Sequence, residues 1–228
     1  IEIYRGSKSS EKNFGLFSTY ILFFPKLLSG PIEHAHNFLP QMREKHELNF
    51  EQIIGGLRRI LMGLFLKLVV ADRLALYTDT VFKYPEMHSG IVLLVGSVFF
   101  TVQLFADFAG YTDIAIGSAQ ILGYKLTENF NAPFKAKSNT EFWGRWHISL
   151  SNWLRDYLFL PLSYSVARKY MKKSFKLFKV EYVSYITAVL ITMTVCGIWH
   201  GASWNFVIFG FLQGFVMTIE LLTRKTRK

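Results

Sequence analysis

His200 stands within Tyr182 to Ile219, a stretch of 38 residues without Asp, Glu, Lys or Arg. Apolar surroundings drive an imidazole toward its neutral form. A neutral imidazole can take a proton from a hydroxyl, as a general base does. Gly197 and Gly201 on either side leave room for a substrate to approach the ring. The competing reading is a hydrogen-bonded core histidine at a helix end. Asp107 and Asp113 follow an apolar run, with Gly110 between them. Two such carboxylates can line a polar cavity, orient a histidine or bind a cation. Alternatively they cap a helix that starts near Thr112 and Asp113, where an acidic first turn is favoured. Arg145 carries the planar donor fork that holds a phosphate or carboxylate. His147 lies four residues before Ser151 on one helical face, and a structural role for it stands beside the catalytic one.

Two further constellations are weaker. Cys196 and His200 have the i, i+4 spacing of a thiol–imidazole pair, but a lone cysteine in an apolar segment is more often a small packing residue. His34-Ala-His36 beside Glu33 hints at metal, yet two histidines without a fixed third ligand are a poor zinc signal, and no metal is expected. The chain has no glycine-rich phosphate loop, no Gly-x-Ser-x-Gly elbow and no His-Glu-x-x-His.

The elements that must position these groups are membrane helices. Of 228 residues, 51% are hydrophobic, 22 are Phe and only 18% are charged, against about 25% charged in soluble domains. The mean hydropathy is +0.24. This composition excludes a disordered tail and a collagen-like repeat, and one cysteine excludes a disulfide scaffold. The formal charge of +10 gathers in clusters beside apolar runs, from Arg168 to Lys179 and from Arg224 to Lys228. That is the pattern of cytoplasmic helix flanks and not of a nucleic-acid groove reader.

A span needs about 20 apolar residues. Met87 to Ala106 supplies one, ended by Asp107. Tyr182 to Ile219 is long enough for two, with Trp199 to Ser203 as the turn. Phe14 to Leu28 is interrupted by Pro25 and Lys26. Ile53 to Val70 carries Arg58, Arg59 and Lys67, so both read as broken or tilted helices packed inside protein. Pro31, Pro40 and Pro85 mark loops. Thr140 to Leu160 interleaves Trp143, Trp146, Trp153 and Tyr157 with Arg145, His147, Arg155 and Asp156. It reads as an interfacial or re-entrant helix, with Trp146, Leu150, Trp153 and Tyr157 on one face and Trp143, His147, Ser151 and Leu154 on another. The expected fold is all-α and multi-pass, with residues 1–228 forming a single membrane-embedded domain.

Four motifs occur in order: Asp107-Phe-Ala-Gly-Tyr-Thr-Asp-Ile-Ala-Ile-Gly117, Glu128-Asn-Phe-Asn-Ala-Pro-Phe134, Phe142-Trp-Gly-Arg-Trp-His-Ile-Ser-Leu-Ser-Asn-Trp-Leu-Arg-Asp-Tyr157 and Gly197-Ile-Trp-His-Gly-Ala-Ser-Trp204. With Ile3-Tyr-Arg-Gly6 and Phe24-Pro-Lys-Leu-Leu-Ser-Gly-Pro-Ile32 they resemble the membrane-bound O-acyltransferases, specifically the bacterial branch that acetylates alginate and related exopolysaccharides. The resemblance runs over nearly the whole chain. Family members have more helices than this chain holds, which implies a piece lacking N-terminal helices and a C-terminal portion; Ile1 in place of Met agrees.

The resemblance implies that His200 matches the family's catalytic histidine and His147 its second functional histidine, with Asp107, Asp113, Arg145 and Trp199 as substrate-binding candidates. It implies a multi-pass protein of the bacterial cytoplasmic (inner) membrane, surrounded by lipid and without a bound cofactor. Its donor would be an acyl thioester, acetyl-CoA or an acyl carrier protein. The acceptor would be a hydroxyl of a cell-surface polysaccharide or a partner protein, such as an extracytoplasmic acyltransferase that completes the transfer. Within the same chemistry, the alternatives are D-alanyl transfer to teichoic acid and O-acetylation of peptidoglycan. A membrane transporter or channel is the alternative of another class, because intramembrane Asp, His and Arg also mark ion paths.

Overall fold

The chain divides into two compact units, residues 2–129 and residues 130–228 together with Ile1. The computed structural model describes residues 1–6, 8–47, 49–170 and 179–223. Every regular element among the described residues is helical, as the composition leads one to expect.

In the N-terminal unit, α1 (Phe14–Leu22) starts at Asn13, whose side chain accepts the Leu16 N–H. It stops before Pro25, and the chain turns through a 3₁₀ segment, Phe24–Lys26. A residue preceding proline is steered out of the helical region, so the interruption expected here forms. Helix α2 (Ala35–Arg43) contains Pro40, which corrects the loop expected at that proline. The helical partner that Pro40 removes is the carbonyl of His36, an exposed residue, where water can replace the lost bond.

Helix α3 (Phe50–Leu64) begins at Asn49, whose side chain accepts the Glu51 and Gln52 N–H groups. A wide π turn, Phe65–Ala71, carries it into α4 (Asp72–Lys83). After a 3₁₀ turn at Pro85–Met87, α5 (Gly90–Ile121) returns antiparallel along all three. Glycines set how closely α3 and α5 approach. A Cβ on Gly56 would lie 2.6 Å from the Gly117 carbonyl oxygen, and one on Gly110 would lie 2.7 Å from that of Gly63. Backbones in contact in this way are the hallmark of small-residue packing between membrane helices.

The same register brings charges together. Arg59 Nε donates to Asp113 Oδ1 at 2.9 Å, and Arg59 Nη1 donates to Glu128 Oε1 at 2.6 Å. Lys67 Nζ lies 2.7 Å from Asp107 and 2.8 Å from Asp72. An apolar helix therefore tolerates Arg59 and Lys67 because each meets carboxylates at its own level. Two corrections follow. The span begun near Met87 does not stop at Asp107, because α5 continues for 32 residues to Ile121. Thr112 and Asp113 thus lie inside a helix and cap nothing.

Removing one partner of a poorly solvated ion pair strands the other. Arg59→Leu is expected to cost about 2–4 kcal/mol of stability, with Asp113→Asn costing less and the double variant less than the sum of the two. Thermal unfolding of the detergent-solubilised protein measures this; additive losses would mean the pair is not coupled.

In the C-terminal unit, α6 (Asn139–Trp143) is followed by α7 (Ile148–Leu154), a π turn at Arg155–Phe159 and α8 (Leu160–Tyr170). The single helix expected over 140–160 is thus interrupted at Gly144–His147. The helical faces proposed across that point do not form: Trp146 precedes α7, and the Ser151 hydroxyl turns back to the Trp146 carbonyl at 3.2 Å. Helices α9 (Val180–His200) and α10 (Trp204–Thr223) form a hairpin with its turn where expected. Trp143, Val189 and Met193 are its buried centre, packed by Phe142, Trp146, Phe159, Tyr185 and Met217.

Helices α5, α9 and α10 are long and apolar enough to cross a membrane. Their outward residues, among them Leu94, Val98, Phe211 and Phe215, are exposed, which an aqueous domain would avoid on this scale. The basic cluster Arg224 to Lys228, and residues 171–178 of the other, lie outside the described residues.

Candidate active site

The third motif folds around a turn between α6 and α7. α6 starts at Ser138, whose hydroxyl accepts the Glu141 N–H. Glu220 of α10 also accepts the N–H groups of Asn139 and Thr140, the second at 3.0 Å, and the Thr140 hydroxyl at 2.8 Å. The short helix is thereby anchored to the hairpin. The Trp143 indole N–H adds a second anchor, donating to Gln213 Oε1 at 3.2 Å. Neither Glu220 nor Gln213 was singled out from the sequence; Glu220 is the only carboxylate in the last turns of an otherwise uncharged span, and that was the available signal.

Arg145 is already engaged. Its Nε and Nη2 donate to Glu141 Oε1 at 3.0 and 2.8 Å, and its Nη1 donates to the Asn131 carbonyl at 3.0 Å. Asn131 in turn donates its N–H to the Arg145 carbonyl at 3.0 Å. The Lys137 N–H and then Arg145 hold the Glu141 carboxyl below its ordinary range. The carboxylate that the Arg145 fork grips is thus one of the chain's own. The i, i+4 spacing of Glu141 and Arg145 was the available signal, but Glu141 was not singled out from the sequence.

His147 adopts the left-handed conformation, φ 42° and ψ 55°, directly before α7. This costs a non-glycine residue of order 1–2 kcal/mol, and the surroundings must hold it there. The residue is 6% exposed. Burial pushes its imidazole down to about 4, and the charge of His200 is the second cause. The two histidines therefore lie within electrostatic reach of each other in one unit.

His200 is the last residue of α9. It is exposed on this chain and surrounded by rings: Trp199 at 5.0 Å between centroids, Phe206 nearly parallel at 6.3 Å and Phe209 edge-on at 6.4 Å. Among the described residues no hydrogen bond holds its ring, so the reading as a hydrogen-bonded core histidine finds no support. Trp199 is 62% exposed beside it. The glycine expectation is corrected. A Cβ on Gly197 would lie 2.1 Å from the Phe206 carbonyl oxygen, and one on Gly201 would lie 2.5 Å from the Phe206 ring. These glycines admit α10 rather than a substrate. Cys196 is 1% exposed, a packing residue. Asp107 and Asp113 belong to the N-terminal unit, in the ion pairs described above.

The His147 geometry carries a pH prediction. In an unfolded chain imidazole titrates near 6.5, and in the fold it titrates near 4. The unfolded state binds more protons between these values, so stability is unaffected above about pH 6.5 and falls as pH drops toward 4. The loss reaches about 2 kcal/mol by pH 5. Thermal unfolding at pH 7.5 and 5 should show it, and His147→Asn should flatten the dependence.

A family model described as "MBOAT, membrane-bound O-acyltransferase family" matches residues 7–228. The chain is 36% identical over 225 residues to "Probable alginate O-acetylase AlgI" of Azotobacter vinelandii, covering 98% of this chain and 42% of that protein. It is 36% identical over 215 residues to "Peptidoglycan O-acetyltransferase" of Helicobacter pylori, covering 93% of this chain and 38% of that protein. It is also 33% identical over 213 residues to "Teichoic acid D-alanyltransferase" of Bacillus subtilis, covering 92% and 52%. The chain thus spans about two fifths to one half of the length of these relatives. With only helices as regular elements among the described residues, three of them apolar and of membrane length, and a match that runs almost end to end, the chain belongs to the membrane-bound O-acyltransferase family.

Proposed function

We propose that this chain carries the catalytic histidines of an enzyme that moves an acetyl group from a cytoplasmic thioester to a hydroxyl on the far side of a bacterial cytoplasmic membrane. The donor is acetyl-CoA or an acyl carrier protein, and the acceptor is a surface polysaccharide or an extracytoplasmic partner that passes the acyl group on. One observation carries the reading: His147, buried and held in a strained conformation, lies within electrostatic reach of His200 at the end of an apolar helix.

In this mechanism His200 takes the proton of the acceptor hydroxyl as its oxygen attacks the thioester carbonyl. The C–S bond breaks as the tetrahedral intermediate collapses, and the imidazolium returns the proton to the departing thiolate. The products are an ester and a free thiol. His147, kept neutral by burial, retains one ring N–H, which donates to the developing oxyanion. A donor that is already oriented and shielded from water acts more strongly than a mobile one. In this reading His200, at the end of a membrane-length helix, is the group that a donor and an acceptor approach from opposite sides.

The names of the relatives support a second reading within the same chemistry, with an alanyl group or a peptidoglycan hydroxyl in place of acetyl and polysaccharide. Ester analysis of the cell surface separates them. Cells carrying the full-length protein are compared with cells carrying its His200→Ala form. Loss of acetyl ester from polysaccharide supports the first reading, and loss of alanyl or peptidoglycan ester supports the second. An unchanged ester content rejects both and points toward transport.

A further inference from the structure

The pair His34-Ala-His36 lacks a third ligand in the sequence, because its neighbour Glu33 is the obvious candidate and is committed elsewhere. The Glu33 side chain accepts the Thr127 N–H, and its carbonyl accepts the Tyr20 hydroxyl at 2.7 Å. The fold supplies another carboxylate. Glu2, from the segment ahead of α1, places Oε1 3.7 Å from His36 Nδ1. The His34 and His36 ring centroids are 5.1 Å apart, and one ligand atom from each of Glu2, His34 and His36 lies within 4.8 Å of the other two.

We propose that Glu2, His34 and His36 form a zinc site that clips the segment before α1 to the start of α2. Two imidazoles and one carboxylate are a recognised three-ligand set for zinc, with water in the fourth position. Ligand atoms on a tetrahedral zinc stand about 3.3 Å apart. Glu2 and His34 are half-buried and His36 is exposed, so rotations moving each donor by about 1 Å would close the set without disturbing a core. The backbone that presents the histidines is held beforehand: His34 is the extended residue that starts α2, and Glu33 is tied on both sides. Such support fixes ligand orientation before the metal arrives.

The site is independent of the acyl-transfer reading. The test uses full-length protein purified in detergent, stripped with a chelator and titrated with Zn²⁺ against a chromophoric competitor. One saturable equivalent is expected, lost in His34→Ala/His36→Ala, weakened at least tenfold in Glu2→Gln, and kept in His200→Ala and in His88→Ala, a histidine outside the cluster. Equal zinc content in wild type and the double variant would overturn the site, and undiminished affinity in Glu2→Gln would remove Glu2 from the ligands and overturn the three-ligand set. If the double variant does not fold, Co²⁺ loading of the wild type decides. Intense visible bands of a four-coordinate site, absent in the folded Glu2→Gln protein, are expected; a weak six-coordinate spectrum overturns the proposal.

Discussion

Replacing His200 by alanine in the full-length protein is expected to lower ester formation about 10²- to 10⁴-fold while leaving the protein folded and at normal abundance in the membrane. The two halves of this expectation have separate physical grounds. The ring is exposed at the end of α9 beside Trp199, Phe206 and Phe209, and among the described residues no hydrogen bond holds it, so its loss opens no cavity in the core and strands no hydrogen-bond partner. In the proposed mechanism the chemistry, by contrast, loses the acceptor of the hydroxyl proton, and the attacking oxygen then carries that proton into the transition state. His147→Ala should also reduce the rate strongly, through the donor to the oxyanion. It differs from His200→Ala in carrying a stability cost, because His147 is buried. Initial rates on a soluble acceptor, alongside thermal unfolding, check both. A His200→Ala protein with near-normal rate would remove the base from the mechanism.

Gly197→Ala and Gly210→Ala are expected to destabilise the α9–α10 hairpin by about 3 kcal/mol or more. An added methyl at Gly210 would sit 2.2 Å from the Met193 carbonyl oxygen, and at Gly197 2.1 Å from that of Phe206. Both obstacles are backbone, so no side-chain rotation relieves the clash and the helices must separate. The expected results are lower membrane abundance, a lower unfolding temperature and lost transfer, since Phe206 and Phe209 lie beside His200 only while the hairpin is closed. Gly90→Ala is the control: a Cβ there meets nothing within 4 Å, and the change should stay within about 0.5 kcal/mol. Equal behaviour of Gly90 and Gly197 variants would show that close backbone contact does not hold this hairpin.

Much of the fold was legible in one dimension. Runs of apolar residues located α5, α9 and α10, because burial of a helix in lipid demands about 20 such residues in succession. Pro25 broke α1 and Trp199 to Ser203 turned the hairpin, both local effects of backbone chemistry. His200 stood out because no Asp, Glu, Lys or Arg lies in the 38-residue stretch around it, and the ordered motifs carried the family. Local reading failed where the chain kept its helix despite a charge or broke it without a proline. It placed an end at Asp107 where α5 continues, a loop at Pro40 where α2 continues, and a continuous helix through Gly144–His147 where the left-handed His147 interrupts it.

Tertiary structure alone decided what each polar group meets. Arg59 finds Asp113 across 54 residues of chain, and Glu220 secures Asn139 across 81. Glu2 reaches His36 from a segment with no sequence tie to it. Such pairings depend on the register between packed helices, and glycine contacts such as Gly56 with Gly117 set that register. Helical periodicity says which residues share a face, but the energy of a charge depends on its distance to its partner, and that distance exists only once the helices have docked.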